Sequence, residues 1–213
     1  MAKTQFDTVE DALEILKNGG AILLADDESR ENEGDLVALA ENIKPELVYS
    51  MLKTAAGLMC VPVSPAVAER LGFHDMVEFS TDPHQTPFTF TVDGTLAATG
   101  VTTGVSAFDR AATISQIAKA SAVESDFNRP GHIQPLIAKE HGLRDRIGHT
   151  EAAVDLAKLA GSAEAAVIIE VLKADGTMAR RDDLFELSEE INAPFITIDQ
   201  ITAYMDAHDL VHA

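Results

Sequence analysis

Six carboxylates crowd a single arginine in the run Asp26-Asp27-Glu28-Ser29-Arg30-Glu31-Asn32-Glu33-Gly34-Asp35, directly after the apolar stretch Ala21 to Ala25. Like charges held this close repel one another unless a metal, a proton or a cationic ligand offsets the repulsion. Glu31, Glu33 and Asp35 alternate, so a strand running from Glu31 to Ala40 would project them to one side and Asn32 and Gly34 to the other. Gly34 permits close backbone approach, and Arg30 offers a forked donor for a phosphate or carboxylate among oxygens suited to Mg²⁺. The bland alternative is a solvated acidic turn, the usual fate of a charge run. A calcium-binding EF-hand is excluded, because aligning Gly34 with the loop glycine puts Ser29 first and Ala40 where the bidentate glutamate belongs.

Two histidines follow a glycine at a loop boundary beside an arginine: His132 in Asn128-Arg129-Pro130-Gly131-His132, and His149 in Arg146-Ile147-Gly148-His149-Thr150-Glu151. A neutral imidazole there can join carboxylates around a metal or act as an acid or base near neutral pH. Thr150 and Glu151, in the first turn of the helix that follows, set hydroxyl and N–H groups where a phosphate is favoured, with Arg146 near enough to complete a clamp. The competing reading has His149 merely capping the helix and Arg146 facing solvent. Glu170 interrupts the apolar run Ala165 to Leu172. Burial there would raise its pKa and suit it to proton exchange near neutrality, whereas on an edge strand it would simply point to water. His74, His84, His208 and His212 lack a partner motif and read as surface or packing residues.

The elements that must position these groups are legible in outline. Thr8 and Asp11 resemble a capping box for a helix whose apolar Val9, Ala12, Leu13 and Leu16 share a face, stopped by Asn18-Gly19-Gly20. Strands are expected at Ala21 to Ala25, near Asp35 to Ala40, at Leu58 to Val63, Phe88 to Val92, Ile133 to Ile137, Ala165 to Leu172 and Pro194 to Ile198. Helices are expected from Pro45 through Ala55, ended by Gly57, and at Pro65 to Leu71, from Ser106 to about Ala120, from His149 to Leu159, at Asp182 to Ile191 and at Asp199 to His208. Gly72 to Pro87 reads as irregular, Ser125 to Gly131 as a turn, and Lys139 to Arg146 as a charged, mobile connection. Irregular alternation, with some strands adjacent in sequence, implies a mixed sheet covered by helices. No dinucleotide fingerprint or P-loop occurs in the chain.

With 213 residues, 46% of them hydrophobic, the chain suits one domain spanning 1–213. A net charge of −19, from 35 acidic and 16 basic residues, argues against a nucleic-acid or anionic-membrane surface, so any phosphate must be small and locally held. The absence of tryptophan removes stacking platforms for single strands. A start without a charged-then-apolar signal and the lack of a long apolar run lead us to expect a cytoplasmic protein. Cys60, the single cysteine, rules out an internal disulfide and reads either as a small buried hydrophobe or as a functional thiol.

Four segments in order resemble 3,4-dihydroxy-2-butanone 4-phosphate synthase of riboflavin biosynthesis: the acidic run Asp26 to Asp35, the stretch Gly100-Val101-Thr102-Thr103-Gly104-Val105-Ser106-Ala107-Phe108-Asp109-Arg110, Asn128 to His132, and Gly148-His149-Thr150-Glu151-Ala152. The resemblance implies an α+β fold, a three-layer α/β/α sandwich with a mixed twisted sheet. It also implies a homodimer with active sites near the interface, and conversion of ribulose 5-phosphate to the four-carbon phosphate and formate. Mg²⁺, with Mn²⁺ as a substitute, is the implied cofactor, and no organic cofactor is expected. Carried over, Glu31 and His149 become metal ligands, Arg30, Glu31, Asp35 and Arg146-Ile147-Gly148-His149-Thr150 substrate contacts, and His132 and Glu170 acid-base groups, Glu170 also touching substrate. Glu33 joins the catalytic set, and Cys60 resembles a pocket position. Many relatives carry glycine where Ile147 stands, and more glycine across Lys139 to Asp145, so loop closure is expected to differ. The chain stops at Ala213 where some relatives continue into a GTP cyclohydrolase II domain, so the monofunctional form is expected.

That reaction removes the C3 proton of the sugar phosphate, eliminates the C1 hydroxyl, joins C3 to C5 and releases C4 as formate. Negative charge gathers on oxygen throughout, which calls for a Lewis acid and several proton carriers in one pocket. A Mg²⁺-dependent sugar-phosphate isomerase or aldolase needs the same stabilisation and differs by releasing no formate. A plain divalent-metal binder would need Glu31 and His149 but neither Glu170 nor His132.

Overall fold

The computed structural model describes residues 5–208, so His212 lies outside the described residues. The chain begins with α1 (Val9–Lys17), whose capping box is formed as read: the Thr8 hydroxyl accepts from Asp11 N at 3.1 Å. It continues through β1 (Ala21–Ala25), β2 (Gly34–Leu39), α2 (Pro45–Ala55), β3 (Cys60–Val63), α3 (Pro65–Leu71), β4 (Val92–Gly94), α4 (Leu96–Thr99), α5 (Ala107–Ala118), β5 (Phe127–Ile137), α6 (His149–Ala160), β6 (Ala166–Glu170), α7 (Arg181–Ile191), β7 (Phe195–Thr197) and α8 (Ile198–Ala207).

The seven strands lie in the order β4-β5-β3-β6-β2-β1-β7. β1 runs parallel to β7 and β3 to β5, while the β1–β2, β2–β6, β3–β6 and β4–β5 pairs are antiparallel, which makes the sheet mixed. Both faces are buried, and alternate residues serve opposite sides. Leu23, Leu36, Ala38, Val167 and Ile169 join one core with Val48 and Met51 of α2, Ile114 and Ile117 of α5 and Leu184 of α7. Ile22, Leu24, Val37, Leu39 and Ile168 join the other with Leu13 and Leu16 of α1, Leu156 of α6 and Ile201 of α8. The result is the expected α/β/α sandwich.

Four local readings are corrected. Glu31 to Ala40 is not one strand. β2 starts at Gly34, and Asn32 adopts a left-handed φ of 54°, so the acidic residues before it sit in a turn. Gly34 packs against Leu184 of α7, where a Cβ would collide. Phe88 and Thr89 form only isolated bridges and strand pairing begins at Val92: Pro135, whose carbonyl accepts from Thr89 N, has no N–H to return, and the Thr89 carbonyl accepts from the Gln134 side chain at 2.6 Å instead.

The turn expected at Ser125 to Gly131 is a 3₁₀ turn, Glu124–Asp126, leading into the eleven-residue β5. Pro130 and Gly131 do not break that strand because side chains replace missing ladder partners: Gly131 N donates to Thr91 Oγ1 at 3.1 Å and His132 N to Asp93 Oδ1 at 2.9 Å. The connection Lys139 to Arg146 is pinned instead of loose. Its 3₁₀ turn Gly142–Arg144 buries Leu143, whose N–H donates to Asp155 Oδ2 at 2.9 Å, and Lys139 N donates to Glu151 Oε1 at 3.2 Å. A smaller difference lies at α2, which ends on Ala56 in the left-handed region, one residue before Gly57.

Ser106 caps α5 as expected, accepting from Asp109 N. The Asp109 carboxylate in turn accepts from the amides of Thr102, Thr103 and Gly104 at 3.3, 3.2 and 3.0 Å, folding the Gly100–Gly104 loop onto the helix start. Burial opposes its ionisation, but those amides prevail and hold its pKa below the ordinary 3.8. Its stabilising contribution is therefore present above the unfolded value and lost as pH falls. We expect Asp109→Asn to lower the melting temperature at neutral pH and to flatten the acid limb of a stability-versus-pH curve followed by circular dichroism.

Candidate active site

Four strand ends and one helix start meet at one edge of the sheet. β1 ends beside Asp26, β2 begins at Gly34-Asp35, β6 ends at Glu170, β3 begins at Cys60, and α6 starts at His149. Register completes the convergence, pairing Asp35 with Glu170 and Cys60 with Ile168. Together they line a cleft of about 120 Å³ with Arg30, Glu31, Glu33, Thr86, Phe88, Leu136, Arg146 and Thr150. A larger hollow of about 510 Å³ between α1 and α7 is lined by Asp7, Asp11, Glu14 and Glu189 without any histidine or arginine, so it lacks the acid-base variety of the cleft.

The acidic loop is shaped by Asp26, a residue to which sequence reasoning gave no role of its own. Its buried carboxylate accepts from Arg30 Nη1 at 3.0 Å, Glu31 N at 3.0 Å and Glu33 N at 2.9 Å. The available signal was an aspartate at a strand end followed by a turn, the usual setting for side-chain-to-backbone capping. From the other side Arg180, at the start of α7, donates to the carbonyls of Glu31 and Asn32. So clamped, Glu31 accepts from Arg30 Nη1 at 2.6 Å and lies 3.8 Å from His149 Nδ1. The contact with His149, outweighing partial burial and aided by Arg30, pulls its pKa down to about 2.

Asp35 has the opposite fate. It is buried, its Oδ1 has no hydrogen-bond partner among the described residues, and His149 Nε2 stands 3.9 Å away. Burial, reinforced by the charges of Glu170, Glu31 and Glu33 and opposed by His149, lifts its pKa to about 7. Burial and then Glu31 likewise raise that of Glu33. His149 is buried too, which disfavours its charge, but Asp35, Glu31 and Asp26 outweigh burial and raise its pKa to about 9.

Glu170 is on a central strand between β3 and β2, not on an edge, and its Oε2 accepts from Leu58 N at 2.7 Å. Gly57 lets that backbone approach, since a Cβ there would collide with the Glu170 main chain. Cys60 faces the cleft, yet burial and then the Glu170 and Asp35 charges push its thiol well above the usual range, so it is a poor nucleophile. We expect a disulfide reagent such as DTNB to leave the native protein unmodified in mildly alkaline buffer and to titrate one thiol after unfolding in urea.

Arg146 is neither solvent-facing nor free. Its Nη1 donates to the fully buried Glu151 at 2.6 Å, and Nε and Nη2 donate to the His84 carbonyl at 3.3 and 3.2 Å. The Glu151 side chain therefore turns inward to neutralise Arg146, leaving to the backbone of the first turn the part the sequence reading gave it. Gly148 caps α6, and a side chain there would collide with Arg146 and press on Arg30, so two guanidinium groups converge at the N-terminus of α6. That is the geometry of an anion seat. His84, set aside from sequence, stands 3.7 Å from Glu31 Oε1.

Of the residues singled out, the cleft gathers Arg30, Glu31, Glu33, Asp35, Cys60, Arg146, His149, Thr150 and Glu170. Gly148 supports it from behind, whereas Ile147 is exposed and outside its lining. His132 also lies elsewhere, on β5 against Asp93. Thr86, Phe88, Leu136 and Ile168 were missed because apolar and hydroxyl lining residues carry no spacing signal.

Carboxylate oxygens and an imidazole form a donor set suited to Mg²⁺ or Mn²⁺. One ligand atom each from Asp26, Glu31 and His149 lies within 4.8 Å of the others. Asp26 already accepts from three N–H donors, Glu31 from Arg30, and the orphaned Asp35 oxygen stands beside Glu31 and His149.

Fold and site together define a class: an α/β/α sandwich with an acidic, metal-suited cleft and an arginine-flanked anion seat at one sheet edge. The profile of the 3,4-dihydroxy-2-butanone 4-phosphate synthase family matches residues 10–204, and the chain belongs to that family. It is 50% identical over 204 residues to "Riboflavin biosynthesis protein RibBA" of Bacillus mycoides (strain KBAB4) and 49% identical to the protein of that name from Bacillus cereus (strain B4264), in each case over 96% of this chain. The chain spans about half the length of these curated relatives, 50% of each. Among solved structures, a 3,4-dihydroxy-2-butanone 4-phosphate synthase in complex with two magnesium ions is similar at a TM-score of 0.91 and 35% identity, covering 96% of this chain and 99% of that one. RibBX, a two-domain synthase from A. baumannii, is similar at 0.89 and 39%, covering 93% of this chain and 58% of that one. No helix among the described residues is long and apolar enough to cross a membrane.

Proposed function

We propose that this chain, as one domain, converts D-ribulose 5-phosphate to 3,4-dihydroxy-2-butanone 4-phosphate and formate, the four-carbon supply for riboflavin biosynthesis, with Mg²⁺ as its ion and Mn²⁺ as a substitute. The observation that carries this reading is the joining of the Glu31–His149 pair, three further carboxylates and an arginine-flanked helix start in one cleft, in a chain of this family. Glu31 and His149 hold the ion in this proposal. Lewis acidity toward the substrate's oxygens is what it supplies when bound.

Arg30, Arg146 and the first turn of α6 bind the unreacted phosphate, whose binding energy orients the sugar chain. Asp35, with a pKa near neutrality, and Glu33 and Glu170 beside it, exchange protons with the substrate's carbons and hydroxyls. Phe88, Leu136 and Ile168 keep water from the reactive carbons. His132 serves as a further proton carrier and Ile147 as a contact at the rim. Both lie outside the cleft lining of their own chain; the reading includes a cytoplasmic homodimer with active sites near the interface, in which a second copy completes each site.

The test is to incubate the purified 213-residue chain with ribulose 5-phosphate and Mg²⁺, with and without EDTA, and follow products by ¹³C NMR. Formate and the four-carbon phosphate, both lost with EDTA, are expected, and would also establish that these residues suffice as a monofunctional synthase. An isomerised pentose phosphate, or no turnover by folded, metal-loaded protein, overturns the reading.

A further inference from the structure

The best-organised polar pair outside the cleft is Asp93 with His132. Asp93, the middle residue of the short β4, is buried, whereas the His132 side chain is 46% exposed. One carboxylate oxygen, Oδ1, accepts from His132 N at 2.9 Å, and the other, Oδ2, faces His132 Nδ1 at 2.7 Å. Holding a residue by main chain and ring together leaves the imidazole little rotational freedom. A carboxylate only accepts, so the ring nitrogen facing it carries a proton, and in the neutral ring the lone pair is then on Nε2.

The pair is also roofed. Gly104 packs against it so closely that a Cβ there would collide with the Asp93 carboxylate and crowd the His132 ring. The Gly104 amide is in turn held by Asp109, together with those of Thr102 and Thr103. The Thr- and Gly-rich segment before α5 does not contribute to the cleft lining. It covers one side of the Asp93–His132 pair instead.

We propose that Asp93 is a positioning residue that fixes His132 as the Nδ1–H tautomer, with Nε2 presented outward for proton transfer, beneath the Gly104 roof. The functional half of this statement rests on the reading of His132 as a proton carrier in the synthase reaction. The tautomer does not depend on that reading, so the two can fail separately.

The experiment has two arms. In wild-type protein labelled with ¹⁵N-histidine, two-dimensional ¹H–¹⁵N correlation of the imidazoles, with His132 assigned by its loss in His132→Gln, is expected to show the neutral ring as Nδ1–H. A predominant Nε2–H form overturns the proposal without any change at Asp93. In Asp93→Asn, checked for folding by circular dichroism, kcat for formate release is expected to fall about 10²-fold, the scale of one general acid–base group. KM for ribulose 5-phosphate and the Mg²⁺ requirement are expected to stay within about twofold, and His132 to shift toward the other tautomer. A folded Asp93→Asn with wild-type kcat, or with its defect confined to KM, overturns the positioning role. If it does not fold, the wild-type tautomer decides. Failure of wild-type protein to release formate would fall on the synthase reading and leave the tautomer result standing.

Discussion

Exchange of Glu31 for glutamine is expected to lower turnover by about 10³-fold, the equivalent of about 4 kcal/mol of transition-state stabilisation. Glutamine keeps the shape of the side chain and removes the charge that faces both Arg30 and His149. A neutral amide is a weak ligand for a hard cation, and its NH₂ opposes the Arg30 guanidinium that the carboxylate now accepts from. Mg²⁺ affinity measured by isothermal titration should fall with the rate, while the far-ultraviolet spectrum stays unchanged, because Asp26 and Arg180 hold the loop backbone independently of this side chain. Formate release within about tenfold of wild type would contradict the assignment of Glu31 to the ion.

The largest effect on stability is expected at Gly131. Its Cα lies against the backbone of β4, and a Cβ would overlap the Val92 carbonyl carbon and the Asp93 nitrogen. Backbone cannot rotate away as a side-chain tip can, so Gly131→Ala must push β4 from β5 at the point where the pairing register shifts. That disturbs the Asp93–His132 pair and the seat of Val92, a fully buried member of the larger core. We expect a loss of about 4 kcal/mol, in the range reserved for steric or cavity defects in a core, read from urea denaturation. Gly161→Ala makes the control: that residue caps α6 at a φ of 70°, and a Cβ there meets nothing within 4 Å. It should cost only the left-handed penalty, about 1 kcal/mol.

How far the sequence reached can be judged from these same places. Local signals translated directly: the Thr8–Asp11 box, proline at the first turns of α2 and α3, and the two-sided apolar runs of β1 and β6. The resemblance carried by four motifs in order implies that Glu31 and His149 share a site and that Glu170 joins it, and the cleft gathers all three; the alternation along a strand expected to turn Glu31, Glu33 and Asp35 to one side does not occur, since β2 starts only at Gly34. What unites Glu31, Glu33 and Asp35 is a turn stapled by Asp26 and the cross-strand pairing of Asp35 with Glu170. Neither is visible as spacing.

Two further differences share one cause. β5 runs through Pro130-Gly131 because Thr91 and Asp93, about forty positions earlier, supply its missing partners. The segment Lys139 to Arg146 is fixed because Glu151 and Asp155 accept its amides from inside the next helix. Propensity describes what a segment prefers alone. Side-chain oxygens elsewhere in the fold, the Thr91 hydroxyl and the carboxylates of Asp93, Glu151 and Asp155, overrode that preference by offering acceptors to otherwise unpaired N–H groups. The pairing of Arg146 with Glu151 is not legible for the same reason, since a buried glutamate cannot be told from a surface one by position in a helix.

The central claim is that this cleft splits a five-carbon sugar phosphate between its fourth carbon and the rest. The most direct test uses ribulose 5-phosphate labelled with ¹³C at C4 alone, incubated with the purified chain and Mg²⁺ and followed by ¹³C NMR. The account predicts that the label leaves as formate and is absent from the four-carbon phosphate. Label retained in a five-carbon phosphate, or carried into the four-carbon product, would contradict it.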